Sequence, residues 1–200
     1  LAREVRYTEN GQRLVVGDGV WRSLQARGAY RLLVSDVEAG QVVYLGTVRE
    51  DGRTAAESVA ALIALRLEVA RNEITEVELQ IARSPEAAAR VEALGQPHEL
   101  FLTPIPASER MSRADLISTA DKYFTGMQQN DGKGDYPFTD DCARIENGTL
   151  TTNQPTPPNQ TRPDPATAWN YSGQWTCLEQ FESGLLHFVS RIRDRGFVAV

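Results

Sequence analysis

Apolar and polar residues alternate along 74–82, "ITEVELQIA": Ile74, Val77 in part, Leu79 and Ile81 stand against Glu76, Glu78 and Gln80. A period of two sends one set to a core face and the other to water, which fits an antiparallel sheet with one wet face. Three further β-prone runs precede it, 29–36, 41–50 and 60–69. Ahead of them, residues 4–8 and 12–16 flank Glu9-Asn10-Gly11. Asn-Gly between two such runs predicts a hairpin, because a type I′ turn needs positive φ at both central residues. "GDGVWRSLQARG" reads as a short helix closed by Gly28, with Trp21 in the core.

The pattern then changes period. "SPEAAARVEALG" predicts a short helix, and the proline-punctuated segment 96–110 a linker. Residues 112–131 form the best helix: Ser112 and Asp115 make a Ser-x-x-Asp start, and Leu116/Ile117, Ala120, Tyr123/Phe124 and Met127 form the apolar stripe. "FTDDCARIENGTLTT" predicts a second hairpin, and 153–168, with half of the chain's 10 prolines, a surface loop. The C-terminal run reads as a helix followed by a strand from near His187 or Ile192, on which Arg191, Arg193 and Arg195 form a solvated stripe.

Composition narrows the classes. With 200 residues, 41% hydrophobic and 24% charged, the chain can bury a core as one large domain or two small ones. A net charge of −6 argues against nucleic acid and anionic membranes as partners. No apolar run reaches the ~20 residues that span a bilayer. No leader is recognisable and the chain opens on Leu1, so its start reads as a processed or cut end. Cys142 and Cys177 read as buried free thiols, which favours a cytoplasmic setting; a bond between them would instead fit secretion. With only His98 and His187 to join them, no metal-ligand spacing is present, and no cofactor motif is found. Asn-x-Ser/Thr sequons stand at Asn147, Asn159 and Asn170 and matter only in a secreted eukaryotic chain.

Glu-Asn-Gly occurs twice, as "YTENGQ" and "RIENGTL", with Asn10 and Asn147 separated by 137 positions. Each copy leads into a short helix and a strand rich in aliphatics and arginine. Aligned on the motif, the chain reads as a window across two tandem domains: 1–95 as the C-terminal part of the first, 96–110 as linker, 111–200 as the N-terminal part of the second. Each complete domain would be helix, hairpin, helix, then four antiparallel strands. That order resembles the SnoaL-like, or nuclear-transport-factor-2-like, family, which includes ketosteroid isomerase, scytalone dehydratase and limonene epoxide hydrolase. "MSRADLISTADKYFTGMQQNDG…PFTDDCARIENGTLTTN" resembles an uncharacterised tandem group of that family from bacteria and fungi.

The resemblance implies an α+β fold, a cone-shaped curved antiparallel sheet with N-terminal helices, in two incomplete copies packed as an intrachain pseudo-dimer or homodimer. It also implies an apolar pocket for a small hydrophobic molecule. The implied activity is of lyase, dehydratase or isomerase type, by acid–base chemistry without metal or cofactor. The alternative is a non-catalytic ligand-binding or assembly module of the same fold. Tyr123 stands where the family's hydrogen-bond donor would be, and Glu146 and Asn147 where its carboxylate base would be. The pattern departs there: Asn147 takes the base's position and Glu146 comes one residue early. Asp141 and His187 complete the candidate set.

Overall fold

The computed structural model describes residues 1–51 and 58–200. They divide into two compact units, Leu1–Glu109 with Val200, and Arg110–Ala199. The protein is α+β: strands dominate the first unit, while helices and long connections dominate the second.

The first unit is built on a six-stranded sheet in the order β2-β1-β6-β5-β4-β3. Its members are β1 (Arg6–Glu9), β2 (Gln12–Leu14), β3 (Leu24–Asp36), β4 (Gln41–Glu50), β5 (Val59–Ala70) and β6 (Glu73–Ala82). The one-turn helix α1 (Val20–Ser23) separates β2 from β3. All neighbours are antiparallel except β1 and β6, which run parallel with Tyr7 opposite Val77. Asn10 (φ 48°) and Gly11 (φ 77°) make the turn between β1 and β2, the left-handed pair that the Asn-Gly signal demands.

Alternation decides which face is dry. Tyr7, Val77, Leu79, Ile81, Ile63, Ala61 and Val48 lie on one face and, with Val20 of α1, form the core cluster. The opposite face carries ions near its β1 edge: Arg6 and Arg66 both meet Glu76, at 2.7 and 3.0 Å, and Arg66 reaches Glu78 at 2.9 Å. The imperfect alternation at Val77 has a cause. Glu68 pairs with Glu76 but Val69 pairs with Ile74, so Thr75 is an extra residue, and the bulge returns Ile74 to the face of Val77. Helix α2 (Pro85–Ala93) folds back over β5, β4 and β3; Ser84 caps it by accepting from Ala87 N at 3.2 Å, and Ala87 and Ala88 are its buried residues.

Two expectations fail in this unit. Gly28 does not close a helix: α1 ends at Ser23, and β3 runs continuously from Leu24 through Gly28. Trp21 is not core. It is 45% exposed, because α1 is one turn long and turns only Val20 inward.

In the second unit, helix α3 (Arg113–Met127) starts as its sequence requires: the Ser112 hydroxyl accepts from Asp115 N at 3.2 Å. The hairpin β7 (Ile145–Glu146) and β8 (Thr149–Leu150) turns at Asn147 (φ 49°) and Gly148 (φ 79°), the same geometry as the first hairpin. Helix α4 (Cys177–Glu182) begins with a full capping box, Thr176 and Glu179 each bonding the other's backbone N–H. The 153–174 loop is pinned at both ends, by Asn153 N to Trp175 O at 2.9 Å and Gln154 N to Gly173 O at 2.8 Å.

Two expectations fail here as well. Cys142 and Cys177 are not free thiols; they form a disulfide across 35 positions. Asn153 explains their meeting: its side chain holds Cys142 O at 2.8 Å, and its backbone N–H holds Trp175 O at 2.9 Å, drawing the hairpin entry to the start of α4. No strand forms over 187–200 among the described residues. That segment is bound to α3 and its C-terminal end by single contacts and not by a ladder: Gln129 N donates to Val189 O at 2.7 Å, Gln128 Oε1 accepts from Ile192 N at 3.0 Å, and Arg195 pairs with Asp121 at 2.8 Å. Arg195 is therefore one half of an ion pair and not part of a solvated stripe.

The disulfide is tested directly. Iodoacetamide should label neither cysteine until a reductant is added. Loop constraints of this kind typically contribute ~2–5 kcal/mol, so Cys142→Ser with Cys177→Ser should lower the thermal midpoint. Labelling without reductant would disprove the bond.

Candidate functional site

The residues singled out from the sequence lie on separate elements of the second unit. Tyr123, on α3, is half-buried among rings, edge-on to Phe124 and Phe138 at 5.7 and 6.2 Å and tilted over Phe181 at 5.3 Å. Its hydroxyl has no hydrogen-bond partner among the described residues. Glu146, on β7, is 55% exposed and pairs with Arg144 at 3.0 Å. Asn147 serves the turn. Asp141 is exposed in the turn closed by Cys142 N to Thr139 O at 3.1 Å. His187 is exposed, its Nδ1 3.2 Å from Gly184 O. Among the described residues no hydrogen bond or ion pair joins Tyr123, Asp141, Glu146 and His187 to one another.

A cavity of about 360 Å3 lies in the first unit instead, under α2 against β3, β4 and β5. Its origin is a defect in β3. Arg27 pairs with Val48 and Arg31 with Gly46, so β3 advances four residues while β4 advances two. The surplus residues bulge out and their amides leave the ladder. Glu92, in the last turn of α2, receives them: its carboxylate accepts from Ala29 N at 3.0 and 3.2 Å, from Tyr30 N at 3.3 Å, and from the Thr47 hydroxyl. The bulge is an anion-binding nest filled by the chain's own carboxylate.

Gly28 makes the close approach possible. A Cβ there would stand 1.9 Å from Thr47 Oγ1 and 2.2 Å from Glu92 Oε1. The rest of the cavity wall is largely apolar, from Ala29, Val48, Ala60, Pro85, Ala88 and Ala89, with Arg49 at the wall as well. Arg49 is held by Ser58, its Nε donating to Ser58 Oγ at 2.9 Å. With its oxygens taken by three donors, Glu92 is a structural acceptor. The arrangement sets one carboxylate and one guanidinium on a largely apolar recess.

Sequence reasoning missed this site because each part looks ordinary alone. Glu92 reads as a solvent-facing residue of a short helix, and Gly28 as a helix stop. The one available signal is Gly28 itself, a glycine ahead of a β run, which marks a bulge or a close backbone approach as readily as a cap.

A second polar cluster lies at the β1 end of the same sheet. The Arg83 guanidinium bonds Glu50 at 2.8 and 3.0 Å and Glu9 at 2.9 Å. Ser23 Oγ donates to Glu50 at 2.6 Å, while Val20 N and the Tyr7 hydroxyl donate to Glu9 at 2.7 and 3.1 Å. Burial, reinforced by the hydrogen bond to Glu9, pushes the Tyr7 hydroxyl up to about 12. Burial also pushes the Glu9 carboxyl upward, but the Val20 amide, Arg83 and Tyr7 together outweigh it, and the net shift is downward. This cluster places a tyrosine beside a carboxylate, yet Tyr7 is 1% exposed, so it locks the hairpin to α1 and β6.

Residues 109–200 match a family model described as Domain of unknown function (DUF8021). The matched stretch coincides with the second unit, Arg110–Ala199, so the similarity concerns that unit alone. No curated protein and no solved structure matches the chain. Among the described residues no helix is long and apolar enough to cross a membrane, and no group of acidic, histidine and cysteine side chains could hold a metal ion.

The Glu9 cluster predicts a pH dependence. A carboxyl depressed in the folded state stabilises above its unfolded pKa, about 4.3, and that contribution is lost as pH falls through the lower folded value. Glu9→Gln should remove about 1–3 kcal/mol at neutral pH, by leaving Arg83 and Val20 N poorly partnered. It should also flatten the fall in stability below about pH 5. Denaturant unfolding at several pH values checks both; equal slopes in wild type and variant would disprove the assignment.

Proposed function

We propose that the chain is a non-catalytic module that binds a small, largely hydrophobic molecule. The observation that carries this reading is the cavity under α2: it has the volume and apolar wall of a ligand site, and its half-buried carboxylate is engaged by the bulge amides and the Thr47 hydroxyl. A general base needs a lone pair free to take a proton. The two oxygens of Glu92 already accept from three donors, and Glu146 is paired with Arg144 in an exposed setting.

The fold reading that accompanies this proposal is the SnoaL-like cone. It is supported by the first unit's order of hairpin, helix and four antiparallel strands, with β1 joining β6, and by the equal turn geometry of the two Glu-Asn-Gly hairpins. A second functional reading, acid–base chemistry of lyase or isomerase type in the second unit, is favoured by one observation: the Tyr123 hydroxyl is uncommitted among aromatic rings. A donor in that state is available to a developing negative charge.

The binding reading is tested by filling the cavity. Ala89 is exposed on α2 and lines the cavity, so Ala89→Trp should block it at little cost in stability. The fluorescence enhancement of 8-anilinonaphthalene-1-sulfonate with the native protein should be lost in Ala89→Trp while the thermal midpoint stays put. No enhancement with the native protein, or an undiminished one in the variant, would reject the site.

The second reading is tested by Tyr123→Phe. Removing an unpartnered hydroxyl should change stability by less than about 0.5 kcal/mol. If an isomerase or lyase substrate is found, the variant should lose on the order of a hundredfold in turnover, the usual cost of one transition-state donor. Unchanged turnover of such a substrate would remove Tyr123 from the chemistry.

A further inference from the structure

The asparagines of the second unit fall into two groups that the fold treats differently. Asn130 is 3% exposed and donates to Gly126 O at 2.8 Å and to the Tyr136 hydroxyl at 2.9 Å. Asn153 donates to Cys142 O at 2.8 Å. Neither heads a sequon. The other three, Asn147, Asn159 and Asn170, all do, and all are exposed. The two asparagines of the first unit, Asn10 and Asn72, head none. Asn147 is held in the β7–β8 turn. Asn159, at φ 66°, and Asn170 lie on the 153–174 loop, and no hydrogen bond among the described residues engages either side chain. The loop is held by other groups: the Trp175 indole donating to Pro163 O at 2.7 Å, Arg162 pairing with Glu179, and the backbone bonds of Asn153 and Gln154.

Two independent features point the same way. Cys142 and Cys177 are joined, and disulfides persist in the oxidising lumen of the secretory route, where sequon asparagines are also modified. Trp169, beside Asn170, is 85% exposed with its ring toward water. A large apolar side chain so placed on a polar loop lacks a protein partner, and an aromatic face is a ready platform for the C–H face of a sugar.

We propose that Asn159 and Asn170 are N-glycosylation sites, so that the proline-rich loop is the carbohydrate-bearing face of the second unit. In the transfer, the side-chain Nδ2 forms a bond to the anomeric carbon of an oligosaccharide carried on a polyprenyl diphosphate. The carbon–oxygen bond to the diphosphate breaks, and the diphosphate leaves with the electron pair. The amide nitrogen gives up one proton to the transferase's base. The hydroxyls of Thr161 and Ser172 complete the sequons, two positions on in each case.

The test uses the protein from its natural source. Peptide-N-glycosidase treatment in 18O-labelled water, followed by proteolysis and mass spectrometry, should convert Asn159 and Asn170 to labelled aspartate and leave Asn130 and Asn153 unconverted. Secreted from a eukaryotic host, Asn159→Gln and Asn170→Gln should each remove one glycosidase-sensitive step in gel mobility, and the double variant two. Unmodified Asn159 or Asn170 in peptides of the untreated natural protein overturns the assignment at that position, as does a variant whose mobility matches wild type.

Discussion

The first unit depends on how a short antiparallel hairpin is attached, in parallel, to the last strand of a sheet. Parallel neighbours gain slanted and slightly weaker ladder bonds, and β1 offers only four residues to make them. Asn10 extends the pairing past the strand's end. Its side chain accepts from Ile81 N at 2.8 Å and donates to Ile81 O at 3.1 Å, while its backbone N–H reaches Leu79 O at 2.8 Å. A side-chain amide thus takes the place of the next peptide group. The residue that makes the turn also makes this bridge, because only a left-handed Asn sends its amide back along the neighbouring strand while the chain reverses. Glu9, one residue earlier, fixes α1 through Val20 N and the end of β6 through Arg83.

The same three letters in the second unit carry less. Asn147 and Gly148 repeat the dihedrals, but β7 and β8 are two residues each and pair only with one another among the described residues. Glu146 faces water and, among the described residues, meets only the nearby Arg144. The motif therefore specifies a local turn in both places. What it does beyond the turn is set by whether a strand edge stands beside it.

This contrast shows what the sequence could convey. Period-two alternation located β6 to within a residue, since a sheet with one dry face imposes that pattern. Ser112 announced a helix start because a cap is a local chemical need. Long-range facts were not written locally. Gly28 satisfies the rule for a helix stop and the rule for a bulge equally, and only the distant Thr47 and Glu92 decide between them. The cysteines of a 35-residue separation could be free or joined until Asn153 is seen to hold both approaches. The tail after α4 is apolar and basic enough for a strand, yet Gln128 and Asp121 capture it first. Of the candidate site, Tyr123 was legible as a residue of an apolar helical stripe, whereas the cavity under α2 was not, because no segment of sequence contains it.

The second unit reaches its fold with little apolar interior. Its fully buried side chains include Trp175 and Phe181, but also Thr152 at 0% and Gln180 at 1% exposure. Gln180 acts as an interior brace, its Nε2 donating to Thr151 O at 2.7 Å and Ser172 O at 2.9 Å, while the Tyr171 hydroxyl bonds Gln180 O at 3.0 Å. A network of this kind selects one arrangement strongly but adds little net stability, since each bond replaces one to water. The missing stabilisation must come from elsewhere. The unfolded chain is the effective place to find it: joining Cys142 to Cys177 removes freedom from a segment that includes the whole proline-rich loop, and the prolines restrict that segment further. A small unit with a polar brace, a covalent staple and a stiff loop is therefore a consistent solution to a shortage of core. The first unit, with its broad apolar sheet face, does without a staple.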